Sequence, residues 1–228
     1  MAKKEVIVIS LGGSIIAPDN VDVSFLKKFK KLIQVEIKKG KRFILITGGG
    51  KTCRRYQEAS KKTGNKDPNS LDWIGIKSTW LNAEVVKGMF GEKAHPQIII
   101  DPSKRINFKK DVLVGAGWKP GWSTDYDAVL LAKQFKATRL INLSNVEYVY
   151  DKDPRKHKNA ERYENLSWNE FIGIVGTKWV PGKNAPFDPV ATKLASKLKL
   201  EVVIMNGSNI RNIKKYLSGK TFKGTLIK

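Results

Sequence analysis

Cysteine is nearly absent from this chain. Cys53 stands alone among 228 residues, so no internal disulfide can form and no Cys/His spacing of a metal site exists. Histidine is almost as scarce: His95 and His157 are isolated, and each reads as a surface residue. Long apolar runs are missing too. The apolar stretches around Gln97–Ile100 and Arg42–Ile46 are strand-sized, far short of the roughly 20 residues that span a membrane. The opening "MAKKEVIVIS" lacks the extended apolar region and small-residue cleavage site of a secretory signal. We therefore expect a cytoplasmic chain with no membrane partner.

Acidic residues are also in short supply. Asp+Glu number 21 against 43 Lys+Arg, a net charge of +22. Such a field attracts anions of any kind. The lysines (Lys27, Lys28, Lys30, Lys31, Lys38, Lys39, Lys41, Lys61, Lys62) are scattered rather than gathered in one tail, and no aromatic-interleaved RNA-binding motif is present. The basicity reads as a solvated surface without a specific nucleic-acid partner.

What is present is an alternation of strands and helices. Glu5–Ser10, Arg42–Thr47, Gln97–Asp101, Asp111–Gly117, Thr138–Ser144, Glu201–Asn206 and Phe222–Lys228 read as strands. Apolar residues at Phe25, Leu26, Phe29, Leu32, Ile33 and Ile37 have helical spacing, with Gly40 as the stop. Further helices are predicted over Lys51–Lys62, Leu71–Phe90, Asp125–Phe135, Leu166–Val175, Asp188–Leu198 and Ser208–Ser218, and Tyr150–Glu161 reads as a polar loop. No internal repeat and no long linker divides the chain, so residues 1–228 form one domain. Apolar strands bounded by helices imply a mostly parallel sheet covered on both faces. In such α/β sheets, ligands bind beyond the carboxyl ends of the strands.

Two glycine loops fall at such ends: "LGGS" (Leu11–Ser14) and "GGGK" (Gly48–Lys51). The second is not a P-loop. G-x-x-x-x-G-K-[ST] requires glycine at position 45, where Leu45 lies inside a strand. A G-x-G-x-x-G dinucleotide fingerprint fails as well, since Cys53 occupies the third glycine position. Consecutive glycines nevertheless let backbone N–H groups approach an anion, and a helix beginning at Lys51 directs its positive end to the same place. Two such loops at neighbouring strand ends can grip one polyphosphate from two sides.

Five blocks in order, "SLGGS", "GGGKTCRRY", "GWKPGWSTDYDAVLLA", "NLSNVEYVYDKDPR" and "DPVATKLASKLKLEVVIMNG", resemble the amino-acid kinase family across essentially the whole chain, most of all its archaeal-type UMP kinase branch. The resemblance implies a three-layer αβα sandwich around an eight-stranded, mainly parallel sheet. Residues 1–137 would form the UMP-binding half and residues 138–228 the ATP-binding half. It also implies transfer of the γ-phosphoryl of ATP to UMP, Mg²⁺ carried with ATP, and self-association into a hexamer built from dimers. Gly12, Gly13 and Ser14 would line the transferred phosphate, with Gly48 and Lys51 completing the phosphate loop. Gly49 would face UMP; Gly50 and Arg54 would face the ATP phosphates. Asp72 would accept from the acceptor ribose. Trp118, Lys119, Pro120, Gly121, Trp122, Ser123 and Thr124 would wrap UMP, the two tryptophans either stacking on the base or simply packing. Asp125 would organise cations near the moving phosphoryl, with Lys193 and Arg54 as the catalytic cations. Ser144, Asn145, Tyr150 and Asp153 would bind ATP.

Three positions depart from the family pattern. Ser10 stands where many members carry a catalytic lysine, which moves the burden to Lys51, Arg54 and Lys193. Tyr148 replaces the usual glycine of the ATP loop and, because tyrosine resists positive φ, predicts another loop path. The stretch Val180–Asp188 also differs, and its Lys183 is a further candidate phosphate contact. Other readings stay open: a kinase for another small acceptor, a non-catalytic nucleotide- or oxyanion-binding relative, or a nucleic-acid-binding protein. Thr47 before Gly48, in place of a histidine, disfavours an isopentenyl phosphate kinase. Ser10 and the acceptor loop disfavour acetylglutamate and aspartate kinases.

Overall fold

Strand β1 (Glu5–Leu11) is buried from Ile7 onward and is an interior strand of a seven-stranded sheet. The computed structural model describes residues 4–176 and 185–228, so Lys183 lies outside the described residues. The other strands of this sheet are β2 (Lys41–Thr47), β3 (Val112–Gly115), β4 (Arg139–Ser144), β7 (Asn165–Leu166), β8 (Glu201–Asn206) and β9 (Thr225–Ile227). Their order is β3-β2-β1-β4-β8-β9-β7. All neighbours pair in parallel except β8 with β9. A separate two-residue ladder, β5 (Val149–Tyr150) with β6 (Arg162–Tyr163), closes the predicted polar loop.

The alternation of side chains along each strand supplies two cores. Ile7, Ile9, Leu11, Phe43, Leu45, Ile141 and Leu143 face one side. There they meet α2 (Val23–Lys38), α4 (Pro68–Phe90) and α8 (Ile210–Leu217). Val8, Ile44, Ile46, Leu140 and Val202 face the other, against α5 (Thr124–Phe135), α6 (Trp168–Val175) and α7 (Pro189–Lys197). This is the expected three-layer sandwich. Helix ends follow their cap residues. Asp22 accepts from Phe25 N–H at 2.8 Å to start α2, and Gly40 takes a φ of 88° just beyond its end.

The sheet has seven strands rather than eight. Residues 94–99 run along the edge of β3 but touch it only at two isolated bridges, Ala94–Val112 and Ile99–Gly115. Five steps on one side face three on the other, so no continuous ladder fits, and Pro96 has no N–H to donate. Leu166 likewise belongs to β7, not to the following helix. Ser167 and Glu170 form a capping box that fixes the start of α6 at Trp168.

Candidate active site

β1 ends at Leu11 and β2 at Thr47, side by side in register. The two glycine loops therefore emerge from adjacent strand ends. Two short helices follow them, α1 (Gly13–Ile16) and α3 (Gly50–Lys62). Only Gly48 and Gly49 separate β2 from α3, which leaves no room for a P-loop. Gly12 N–H donates to Leu143 O and Gly48 N–H to Leu11 O, both at 3.0 Å. The loops then meet backbone to backbone. A Cβ on Gly13 would lie 2.1 Å from the Gly50 nitrogen and 2.5 Å from the Gly48 oxygen. Gly50 has a φ of 65°, and a Cβ there would lie 2.3 Å from the Gly13 oxygen. No side chain caps α3 at Gly49, so its first-turn N–H groups are free to meet an anion.

Helix α4 holds this junction from behind. Asn82, 3% exposed, donates Nδ2–H to Gly48 O at 2.7 Å. Thr47 Oγ1 donates to Thr79 O at 2.9 Å, so its hydroxyl is turned into the scaffold. Thr79 Oγ1 accepts from Gly117 N–H at 2.8 Å and so ties the second loop to the acceptor loop.

Of the expected cations, Arg54 is exposed on α3, with its guanidinium 3.4 Å from Ser14 Oγ. Lys51 points elsewhere, pairing with Asp19 at 2.7 Å, and Arg55 donates to the Asp19 backbone oxygen at 2.8 Å. Lys193 is exposed on α7. Among the described residues no hydrogen bond or ion pair ties it to the glycine loops.

The acceptor loop is built from the predicted turn and an aromatic cluster. Asp72, in the first turns of α4, accepts from Gly121 N–H at 3.1 Å. Trp118 and Trp122 have ring centroids 6.0 Å apart, and Trp122 and Tyr126 4.3 Å. The Lys119 ammonium lies 4.0 Å over Trp118. The tryptophans thus pack on one another, while Trp122 keeps an exposed face, at 36%. Ser123 caps α5 by accepting from Tyr126 N–H at 3.2 Å. Pro120 lies in that turn and Thr124 is the first residue of α5.

Asp125 sits where this loop meets the sheet. Ser10 Oγ donates to its Oδ1 at 3.2 Å, and Asp188 N–H donates to its Oδ2 at 3.2 Å. The residue is only partly covered by surface area, yet protein surrounds the carboxylate. Burial, followed by the nearby Asp188 carboxylate, pushes it up to about 7. Among the described residues no lysine or arginine is paired with it. Asp188 caps α7, accepting from Ala191 N–H at 2.7 Å. Asn142, the register partner of Ser10, donates to Pro186 O at 3.1 Å and holds the approach to that cap. Two residues along α5, Asp127 is 1% exposed. Its Oδ2 accepts from Trp118 N–H at 3.2 Å, while Oδ1 has no partner among the described residues. Burial pushes Asp127 up to about 7 as well.

On the other side of β1, Ser144 ends β4 and accepts from Val146 N–H at 3.3 Å, with Asn145 exposed beside it. Tyr148 has no positive φ. It is 5% exposed, with the Arg162 guanidinium 4.9 Å over its ring and Tyr150 edge-on at 6.4 Å. The loop takes a path that a tyrosine can adopt, pinned where Val149 N–H donates to Thr225 Oγ1 at 2.8 Å. The Asp153 carboxylate turns onto its own turn, accepting from Arg155 N–H at 3.0 Å and Nε–H at 3.1 Å.

Asn82, Thr79, Asp127 and Asp188 are site-building residues that our sequence reading did not single out. Three of them left signals. Asp188-Pro189 is a helix-start pattern. Ser78, Thr79 and Asn82 put a cluster of poor helix formers mid-helix on the buried side of α4. Asp127 left none, since its burial depends on the acceptor loop folding over it.

Comparison with known proteins agrees with this geometry. A sequence model described as the amino acid kinase family matches residues 5–206. A uridylate kinase of Thermoplasma volcanium is 36% identical over 219 residues, 95% of this chain and 94% of that protein. One of Pyrococcus abyssi is 32% identical over 225 residues, 97% of this chain and 98% of that protein. A crystal structure of uridylate kinase from Archaeoglobus fulgidus superposes with a TM-score of 0.81 at 29% identity, covering 97% of this chain and 99% of that one. With two apposed glycine loops, a capped acceptor loop and a match along nearly its full length, the chain belongs to the amino acid kinase family.

Proposed function

We propose that this protein is a UMP kinase, transferring the γ-phosphoryl group of ATP to UMP to give UDP and ADP. The observation that carries the reading is the backbone contact of the two glycine loops beside a loop held by Asp72 and Asp127. That arrangement offers converging N–H donors to one phosphate chain, with a separate seat for an acceptor. The acceptor's identity rests on relatives such as the uridylate kinase of Thermoplasma volcanium.

In this reading residues 1–137 bind UMP and residues 138–228 bind ATP. A phosphate oxygen of UMP attacks the γ-phosphorus in line, and the bond to the bridging oxygen of ADP breaks. The attacking oxygen is already an anion, so no general base is required. Catalysis consists of positioning and of neutralising charge on the moving group. Gly13, Gly49 and Gly50 supply backbone donors, with Ser14 beside them, while Gly12 and Gly48 spend their N–H groups on Leu143 O and Leu11 O and fix the loops. Arg54 supplies a forked cation suited to phosphate oxygens. Lys193 is the second proposed cation, and Lys51 reaches the phosphates only by leaving Asp19. Ser10 and Asp188 N–H hold Asp125 in one orientation at the meeting of the two halves. Ser144, Asn145, Tyr150 and Asp153 remain the proposed nucleoside side of the ATP site.

Among the described residues no group of three or more His, Cys, Asp or Glu is gathered to hold a metal. We propose that Mg²⁺ would enter as part of the nucleotide substrate and would help neutralise the charge of its phosphates. Self-association into a hexamer, a place in pyrimidine nucleotide synthesis and a cytoplasmic location belong to the same proposal. The exposed stripe Trp73, Leu81 and Val85 on α4, at 38%, 61% and 39% exposure, offers an apolar face for association. No described helix is long and apolar enough to cross a membrane. The test is a coupled ADP-release screen over UMP, CMP, isopentenyl phosphate and small carboxylates. Fastest turnover with UMP supports the reading, while faster turnover with any other acceptor replaces it.

A further inference from the structure

The fold gathers lysines that are scattered along the sequence. α2 and α8 pack side by side on one face of the sheet, sharing a core in which Phe25, Phe29 and Leu32 meet Ile213, Tyr216 and Leu217. The Lys41 ammonium clips the two together by donating to Leu217 O at 2.6 Å. Residues 23–41 hold seven lysines and one glutamate, and residues 210–220 hold four cations and no carboxylate. Together they contribute +10 of the chain's +22. The one acid, Glu36, is fully buried beneath Lys39 and Lys41, so neither helix shows an exposed carboxylate. Lys27, Lys28, Lys31 and Lys38 are exposed and fall within about 100° of arc on α2, given 3.6 residues per turn. Arg211, Lys214 and Lys215 are exposed and fall within a similar arc on α8.

We propose that this α2–α8 face binds the phosphate backbone of double-stranded nucleic acid without reading its sequence. From Lys27 to Lys38 the helix runs about 16 Å, a length over which a duplex presents about ten charges. The large apolar side chains of α2 are spent in the core, leaving only Val23 and Val35 exposed among its apolar residues. An interfacial membrane helix needs large apolar residues to embed, so an anionic bilayer is the poorer fit. Single strands are bound on exposed aromatic platforms, and the exposed aromatics Tyr56, Trp73 and Trp122 all lie outside α2 and α8. The inference does not depend on the phosphoryl-transfer reading.

The test uses the full chain and a fluorescent 30-base-pair duplex, with saturating UMP and ATP to fill the catalytic cleft. Wild type is expected to bind at low salt, with log affinity falling against log salt at a slope near −4 or steeper, at about 0.9 per phosphate contact. The variant K27Q/K31Q/K214Q/K215Q should bind at least about tenfold more weakly and reduce the slope by roughly 3 to 4. The variant K109Q/K110Q/K156Q/K158Q, equal in charge but placed elsewhere, should stay close to wild type. Both variants should release ADP at the wild-type rate, showing that they fold. In wild type, the duplex should shield Lys27, Lys31 and Lys214 from amine labelling. Equal losses in the two variants, or no duplex binding at 50 mM salt, would overturn the proposal. So would tighter binding to vesicles of anionic lipid than to the duplex.

Discussion

Replacing Gly13 by alanine tests whether the two glycine loops form one device. Gly13 has no positive φ, so alanine fits its backbone, and the only obstacle is space. The new Cβ would lie 2.1 Å from Gly50 N, 2.5 Å from Gly48 O and 2.5 Å from Gly49 C. All three are backbone atoms, and no rotamer change relieves the contact. Restoring an ordinary contact of about 3.4 Å needs a displacement of about 1 Å or more between the loops. Overpacking of this kind costs about 1–3 kcal/mol, or roughly 2–12 °C of Tm at 2–4 °C per kcal/mol for a domain of this size. A misplacement of about 1 Å at a reacting centre costs about 100-fold in rate. Gly88→Ala is the control: a Cβ there meets nothing within 4 Å, and alanine in α4 should stabilise by up to about 1 kcal/mol. Thermal unfolding and coupled ADP release measure both effects. Wild-type kcat/KM in Gly13→Ala, with its Tm unchanged, would refute the apposed cradle.

Arg54→Ala and Asp125→Asn should each lower UMP turnover at least about tenfold, the scale of one lost transition-state contact; wild-type rates in both would show that these roles are misassigned. Asn82→Ala strips the Gly48 carbonyl of its side-chain donor, and chemical denaturation should show a loss of about 1–3 kcal/mol. Asp127 is raised from 3.8 to about 7, so the folded state holds its proton more tightly than the unfolded chain does. Its contribution to stability is complete below pH 4 and is lost as pH rises through 7. Between those limits Tm should fall more steeply in wild type than in Asp127→Asn, and parallel curves would show that the carboxyl is ionised throughout.

The layers and most elements were legible because periodicity and caps are local. Alternating strands, the α2 stripe and Gly40 can be read without knowing any partner. The eighth strand failed because its fate depends on register against β3, where five residue steps must match three. The glycine loops were legible as phosphate binders, but their mutual contact was not, since it follows from β1 and β2 lying adjacent. Lys51 stands in the right motif yet is drawn to Asp19, a residue 32 positions away. The grouping of charge was not legible for a related reason. Lysines spread along the sequence read as a uniform surface, and only the packing of α8 on α2 shows that many share one face.

The most direct measurement is phosphorus NMR of the purified protein mixed with UMP, ATP and Mg²⁺. The account predicts new β-phosphate signals from both UDP and ADP, growing at equal rates. Signals from ADP and free phosphate without UDP, or no change at all, would contradict it.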